Sequence, residues 1–209
     1  RGPNDNDALR KSIEGLHCDG GTQMSAITPP KGAPQPDLCL LFTDGLSNFG
    51  KEKPSRLRAP LYAFSMDAAV NHNFLKQLAA ATGGRYFNLN RMKNDEVLAV
   101  FGKPTYSFLG AEADSAEVEE PYPRLPQPLA GRFTLVGRLV GESATVSLNY
   151  GYAGETPSAQ RSVTVSRADA VDGTLLKRLW AQTKLSELLI APKRNEEEIV
   201  SLGKKHGLV

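Results

Sequence analysis

The chain has 209 residues, 40% of them apolar and 23% charged, with 25 Lys+Arg against 23 Asp+Glu for a net charge of +2. That length suits one to two domains, the apolar share excludes wholesale disorder, and the balanced charge gives no general pull toward nucleic acid or an anionic membrane. No apolar run approaches the roughly 18 residues needed to span a bilayer, no signal-peptide pattern opens the chain, and two cysteines are too few for a disulfide framework.

Leu9, Ile13 and Leu16 stand at helical spacing behind Asn6 or Asp7 as a cap and predict a first helix. Residues 18–22 break it, 23–27 begin a weaker helix, and Pro29, Pro30, Pro34 and Pro36 force an extended loop. Leu38-Cys39-Leu40-Leu41-Phe42 is a continuous apolar run between Pro36-Asp37 and Thr43-Asp44-Gly45. It reads as a strand buried on both faces in a helix-covered parallel sheet. Residues 61–65 repeat the pattern, and Pro54 makes the connection between the two mostly loop. A helix capped by Asn71 carries Phe74, Leu75, Leu78 and Ala79 on one face and ends at Gly83-Gly84, before a third strand over 85–89. Strand, loop, strand, helix, strand in that order predicts an α/β layer.

Beyond residue 100 the character changes. Residues 111–120 are acidic and read as a solvated linker or edge, and 121–128 are rich in proline. Segments 133–140, 144–150 and 162–166 are of β type, and the last two alternate as antiparallel strands with one wet face do. Leu175, Leu176, Leu179, Trp180, Leu185, Leu188 and Leu189 form a wide helical stripe that places Trp180 in the core. Asn195 with Glu198 reads as a capping box for a last helix, with Lys204, Lys205 and His206 near its end and Gly207 closing it. The chain divides into an α/β unit over 1–100, a β-rich module over 101–170 and a helical region over 171–209. The fold class is α/β: a partial doubly wound parallel sheet, then a mostly antiparallel β module, then C-terminal helices.

Chemistry concentrates at Thr43-Asp44-Gly45. An aspartate at the carboxyl end of a buried strand stands where open α/β sheets bind ligands, and its carboxylate suits a hard divalent cation such as Mg²⁺. Gly20-Gly21-Thr22 can turn a hydroxyl oxygen toward the same rim, although Asp-Gly turns and Gly-Gly-Thr loops are each common as plain structure. A weaker reading makes Ser47 a hydrolase nucleophile. Gly45-Leu46-Ser47-Asn48-Phe49-Gly50 approaches Gly-x-Ser-x-Gly with the second glycine displaced by one residue, and His72 and Asp67 stand as candidate partners. No Walker loop and no Gly-x-Gly-x-x-Gly supports nucleotide use. For Cys18 and Cys39 a disulfide and two free thiols both stay open.

Thr22, the run Phe42-Thr43-Asp44-Gly45 and the stretch 60–90, with Ala-Thr-Gly-Gly-Arg-Tyr-Phe at 81–87, resemble the second half of a von Willebrand factor type A domain. Segments 118–126, 129–139, 178–189 and 202–209 resemble the region after that domain in inter-alpha-trypsin inhibitor heavy chains and their bacterial relatives, with His206 where that family has tyrosine. The resemblance implies an extracytoplasmic VIT/type A protein, of the cell envelope or secreted, engaged in binding or adhesion and not in catalysis. It implies a metal-ion-dependent adhesion site with Thr22 and Asp44 as ligands of Mg²⁺ or another divalent cation. The implied partner is a protein or extracellular ligand offering an acidic group; nucleic acid is not expected, nor a transmembrane segment in this chain. The family's Asp-x-Ser-x-Ser loop is absent from the 209 residues and the chain starts at Arg1, not Met. Both predict a fragment holding about half the domain, with weak or absent metal binding of its own. The alternative is a structural or assembly module without metal-dependent binding.

Overall fold

The computed structural model describes residues 6–17, 21–27, 32, 34–48, 57, 59–114, 116–129, 131–171 and 173–208. The expected loop around Pro54 and any pairing of Cys39 with Cys18 lie outside the described residues. The architecture is mixed α/β, with a three-stranded parallel sheet, antiparallel sheets and C-terminal helices in that chain order.

Strands β1 (Cys39–Phe42), β2 (Leu61–Ser65) and β3 (Tyr86–Asn88) lie side by side in that order, all parallel. β2 is buried at every position, as the middle of a parallel sheet covered on both faces should be. On one face Leu61 and Ala63 join Cys39 and Leu41 against Phe74, Leu75 and Ala79 of helix α2 (His72–Ala81). On the other, Tyr62, Phe64 and Phe87 pack against Val97 and Val100 of helix α3 (Asn94–Val100). α2 starts where the sequence places it: the Asn71 side chain accepts the Phe74 N–H at 3.1 Å, a cap worth about 1 kcal/mol.

β1 corrects one expectation. Cys39 and Leu41 are half-buried, but Leu40 is 52% and Phe42 67% exposed, so the strand is covered, and then only partly, on one face. The reason is the short reach of α3, which packs on residues of β2 and β3 and on none of β1. The Phe42 ring stacks on that of Phe64 at 4.8 Å between centroids. Helix α1 (Asn6–Glu14, preceding the sheet) forms as expected yet buries none of its residues. The weaker helix of 23–27 shrinks to a single 3-10 turn, Met24–Ala26, whose Met24 is sealed into the core beneath α2.

In the β module, β4 (Tyr106–Glu112), β6 (Gln127–Pro128), β8 (Ser143–Tyr152) and β9 (Ala159–Ser166) form one antiparallel sheet in the order β6-β4-β8-β9. β5 (Val118–Tyr122) and β7 (Val136–Leu139) pair separately. The two ends of the acidic stretch are strand and its middle is the turn between them: Glu112 ends β4 and accepts the Asn149 amide, and Glu119 in β5 pairs with Arg138. The alternation expected of β8 is present, with Ala144, Val146 and Leu148 buried beneath an outer row of polar side chains.

Helices α4 (Thr174–Leu188) and α5 (Glu196–His206) pack on each other. The leucine stripe is only partly used: Leu175, Leu176 and Leu179 are exposed, while Ala181 and Lys184 are buried. Trp180 is half-buried, and its indole N–H donates to the Glu120 carbonyl at 3.1 Å. Asn195 stands at the N-cap of α5 but makes no side-chain capping bond; its amide donates instead to the Leu188 carbonyl at 2.8 Å. Gly207 closes the helix in the left-handed conformation. No helix of the described residues is long and apolar enough to cross a membrane.

Candidate functional site at the strand ends

β1 carries the chain to the carboxyl edge of the parallel sheet, where the Thr43 N–H still bonds to the Phe64 carbonyl at 3.1 Å. The chain then turns at Gly45, whose φ is +75° and where a Cβ would meet Leu75 Cγ at 2.9 Å. Both the dihedral and the close approach call for glycine. Asp44 Oδ1 accepts the Leu46 N–H at 2.8 Å, a local turn that orients the carboxylate. The Asp44 carbonyl accepts the Asn71 N–H at 2.9 Å and ties the loop to the start of α2.

Thr22 reaches the same loop through its backbone. Its carbonyl accepts the Asn48 N–H at 2.8 Å and the Ser47 hydroxyl at 3.5 Å, and Ser47 Oγ accepts the Met24 N–H at 3.4 Å. The segments bearing Thr22 and Asp44 are thus held on one rim. Beside it opens a cleft of about 240 Å³ lined by Met24, Ser47, Asn71, Phe74 and Lys193 among others. The Asn71 amide, which lines that cleft, also donates to the Ile190 carbonyl at 3.5 Å and so joins the segment between α4 and α5 to the rim.

As a cation site the donor set is sparse. Asp44 and Thr22 are both half-buried, and one Asp44 oxygen already accepts a backbone N–H. Among the described residues no group of three or more His, Cys, Asp or Glu side chains is placed to hold a metal. A carboxylate and a hydroxyl suit an ion that keeps most of its waters, as Mg²⁺ does, and do not make a closed cage.

Ser47 and His72 are engaged separately. His72 Nδ1 lies 2.7 Å from the Tyr86 hydroxyl, which in turn is 2.6 Å from the buried Ser65 Oγ. In a nucleophile triad that ring nitrogen faces an orienting carboxylate; here it faces Tyr86, and not Asp67. Phe49 and Gly50 of the elbow-like run lie outside the described residues.

A second cluster, not singled out from the sequence, joins the C-terminal helices to β5. Lys184 is buried, with Nζ 2.6 Å from Glu120 Oε1 and 2.8 Å from Glu198 Oε1. The same ammonium lies 5.3 Å from the Trp180 ring centroid and 5.9 Å from that of Tyr122. Burial works against its charge, but the hydrogen bonds to Glu120 and Glu198 outweigh it and hold the pKa above the ordinary 10.5. Burial likewise raises the Glu187 carboxyl, opposed by the N–H groups of Arg124 and Leu125 that it accepts. The one sign of this cluster in the sequence is a lysine four residues after Trp180, inside an otherwise apolar stripe.

Compared with protein-family models and with curated proteins, the chain matches none.

Proposed function

We propose that the chain is a binding module whose contact point is the rim around Asp44, where a divalent cation held by Asp44 and Thr22 accepts an acidic group of a protein or extracellular partner. The observation that carries this reading is the Asn48 N–H bond to the Thr22 carbonyl at 2.8 Å, which holds the Thr22 segment against the loop that follows Asp44, beside an open cleft. Mg²⁺ supplies concentrated positive charge that a single carboxylate can complete. The protein's own residues set the geometry. The Leu46 N–H orients the Asp44 carboxylate, Gly45 lets the turn close on Leu75, and Lys193 on the cleft wall adds positive charge toward an acidic partner. The resemblance to VIT/type A proteins supports an extracytoplasmic setting and an adhesive rather than catalytic role.

Calorimetric titration with Mg²⁺ and Mn²⁺ tests the reading. Weak uptake is expected of the wild-type chain. Asp44→Asn keeps an acceptor for the Leu46 N–H but removes the charge, and it is expected to abolish uptake while leaving the thermal melt unchanged. Equal heats from the two proteins would remove Asp44 from the site. The sparse donor set favours a second reading, a structural or assembly module in which the Lys184 cluster fixes α4 and α5 to β5 without any metal. A wild-type chain that takes up neither ion selects that reading.

A further inference from the structure

Strand β9 ends its sheet, and no described strand pairs with its outer edge. Which of its groups face outward follows from the ladder. The Arg167 N–H bonds to the Glu142 carbonyl at 2.8 Å, in register with the pairs from Ser143↔Ser166 to Tyr150↔Ala159. Hydrogen-bonded and non-hydrogen-bonded pairs alternate in an antiparallel ladder. Arg161, Val163 and Val165 therefore turn their N–H and C=O toward β8, while Gln160, Ser162, Thr164 and Ser166 turn theirs to the open edge. The side chains agree. Thr145 and Thr164 hydroxyls meet at 3.0 Å, Ser147 and Ser162 at 3.3 Å, and the Gln160 amide donates to Asn149 at 3.0 Å. These are the pairs that approach most closely, because no backbone bond lies between them.

Of the devices that usually keep such strands apart, the edge carries a single charge, Arg161, and lacks most of the others. It is eight residues long, carries neither proline nor lysine, and its register with β8 has no bulge. One of its faces presents Val163 and Val165, 37% and 41% exposed, beside the buried Val146 and Ala144; the other presents only amide and hydroxyl groups.

We infer that β9 is a docking edge for a second copy of itself, antiparallel about a two-fold axis through Val163, so that two four-stranded sheets become one. Gln160 then faces the partner's Ser166 and Ser162 faces the partner's Thr164, and all outward N–H and C=O groups of the four residues are satisfied. Val163 meets the partner's Val163 as a close pair, and Val165 meets the aliphatic stem of the partner's Arg161. Charge selects this register. An axis through Thr164 would set Arg161 against the partner's Arg167 twice over. An axis through Ser162 would set Val163 against the partner's Arg161 and carry Ser166 past the end of the facing strand. An axis through Val165 also sets valine against valine but carries Val163, Ser162 and Arg161 past the end of the facing strand, so the Val163 axis is the one that keeps Gln160 to Ser166 paired and opposes no like charges.

Sedimentation equilibrium of the full chain tests the inference, with a dimer expected for the wild type. Val163→Lys and Val163→Glu each place two like charges face to face on the axis and are expected to be monomeric; mixed together they are expected to recover a dimer. Thr164→Pro removes an N–H that bonds to no β8 residue, so the β8–β9 ladder and the far-ultraviolet spectrum should persist while the dimer is lost. A monomeric wild type would overturn the proposal. So would a dimer indifferent to both V163K and T164P, or one abolished instead by Phe42→Lys on the open face of β1.

Discussion

Gly84→Ala is expected to lower stability by about 3 kcal/mol or more, a large share of the roughly 5–15 kcal/mol that usually holds a domain folded. A Cβ at this buried position would sit 1.9 Å from the Leu61 carbonyl oxygen, 2.5 Å from its carbon and 2.8 Å from its nitrogen. All three are backbone atoms, so no rotamer change relieves the overlap. Nor can Leu61 retreat cheaply. It is fully buried, its N–H is held by Thr82 Oγ1 at 2.9 Å, and that hydroxyl donates to the Ala79 carbonyl at 2.9 Å. The methyl group must push the first residue of β2 away from the end of α2 and break this chain of bonds. Urea denaturation of the variant gives the answer directly. A midpoint equal to that of the wild type would mean that β2 and the turn before β3 do not meet as closely as described.

Lys184→Ala is expected to cost about 2 kcal/mol. Loss of one partner from a fully buried ion pair costs more, but Glu120 and Glu198 are partly exposed, and water recovers some of their solvation once the ammonium is gone. Part of the cost is apolar, since the lysine stem lies beside Tyr122 and Trp180. Lys184→Met keeps that stem and should lose less. The pH dependence has a definite sign. The folded pKa lies above 10.5, so the contribution of Lys184 is fully present below the unfolded value and is lost as pH rises through the folded one. Burial also raises the Tyr122 phenol, which ionises more readily in the unfolded chain and weakens the fold over the same alkaline range. Denaturant melts of wild type and K184M from neutral to strongly alkaline pH separate the two contributions: the variant should show the shallower decline.

Local requirements were legible in the sequence and remote ones were not. Asn71 and Gly83-Gly84 bracket α2 because an N-cap acceptor and a left-handed exit are needs of a few neighbouring residues. The reason for Gly84 is different. It yields to the backbone of β2, and nothing at positions 82–85 encodes that contact. The run 38–42 reads the same whether one or both faces are covered, since coverage of β1 depends on the extent of α3. That helix has seven residues, too few for a periodic stripe to announce it. β5 stays hidden because Glu119, Glu120 and Pro121 are poor strand formers; β7 and Lys184 hold it from outside. At the candidate site, Asp44 is readable as an aspartate just past the end of an apolar strand. The way Thr22 meets the loop after it is not, because the Asn48 bond runs through carbonyl and amide groups common to every residue type.

Leu9, Ile13, Leu40, Phe42, Leu175 and Leu176 are largely solvated in the folded chain. Water that already surrounds them contributes nothing new when the chain melts. The heat-capacity increment and the denaturant slope both scale with freshly wetted area, so both should fall below the values usual for 209 residues. A smaller increment flattens the curve of free energy against temperature, and cooling erodes this fold more gently than it would a fully sealed protein of the same length.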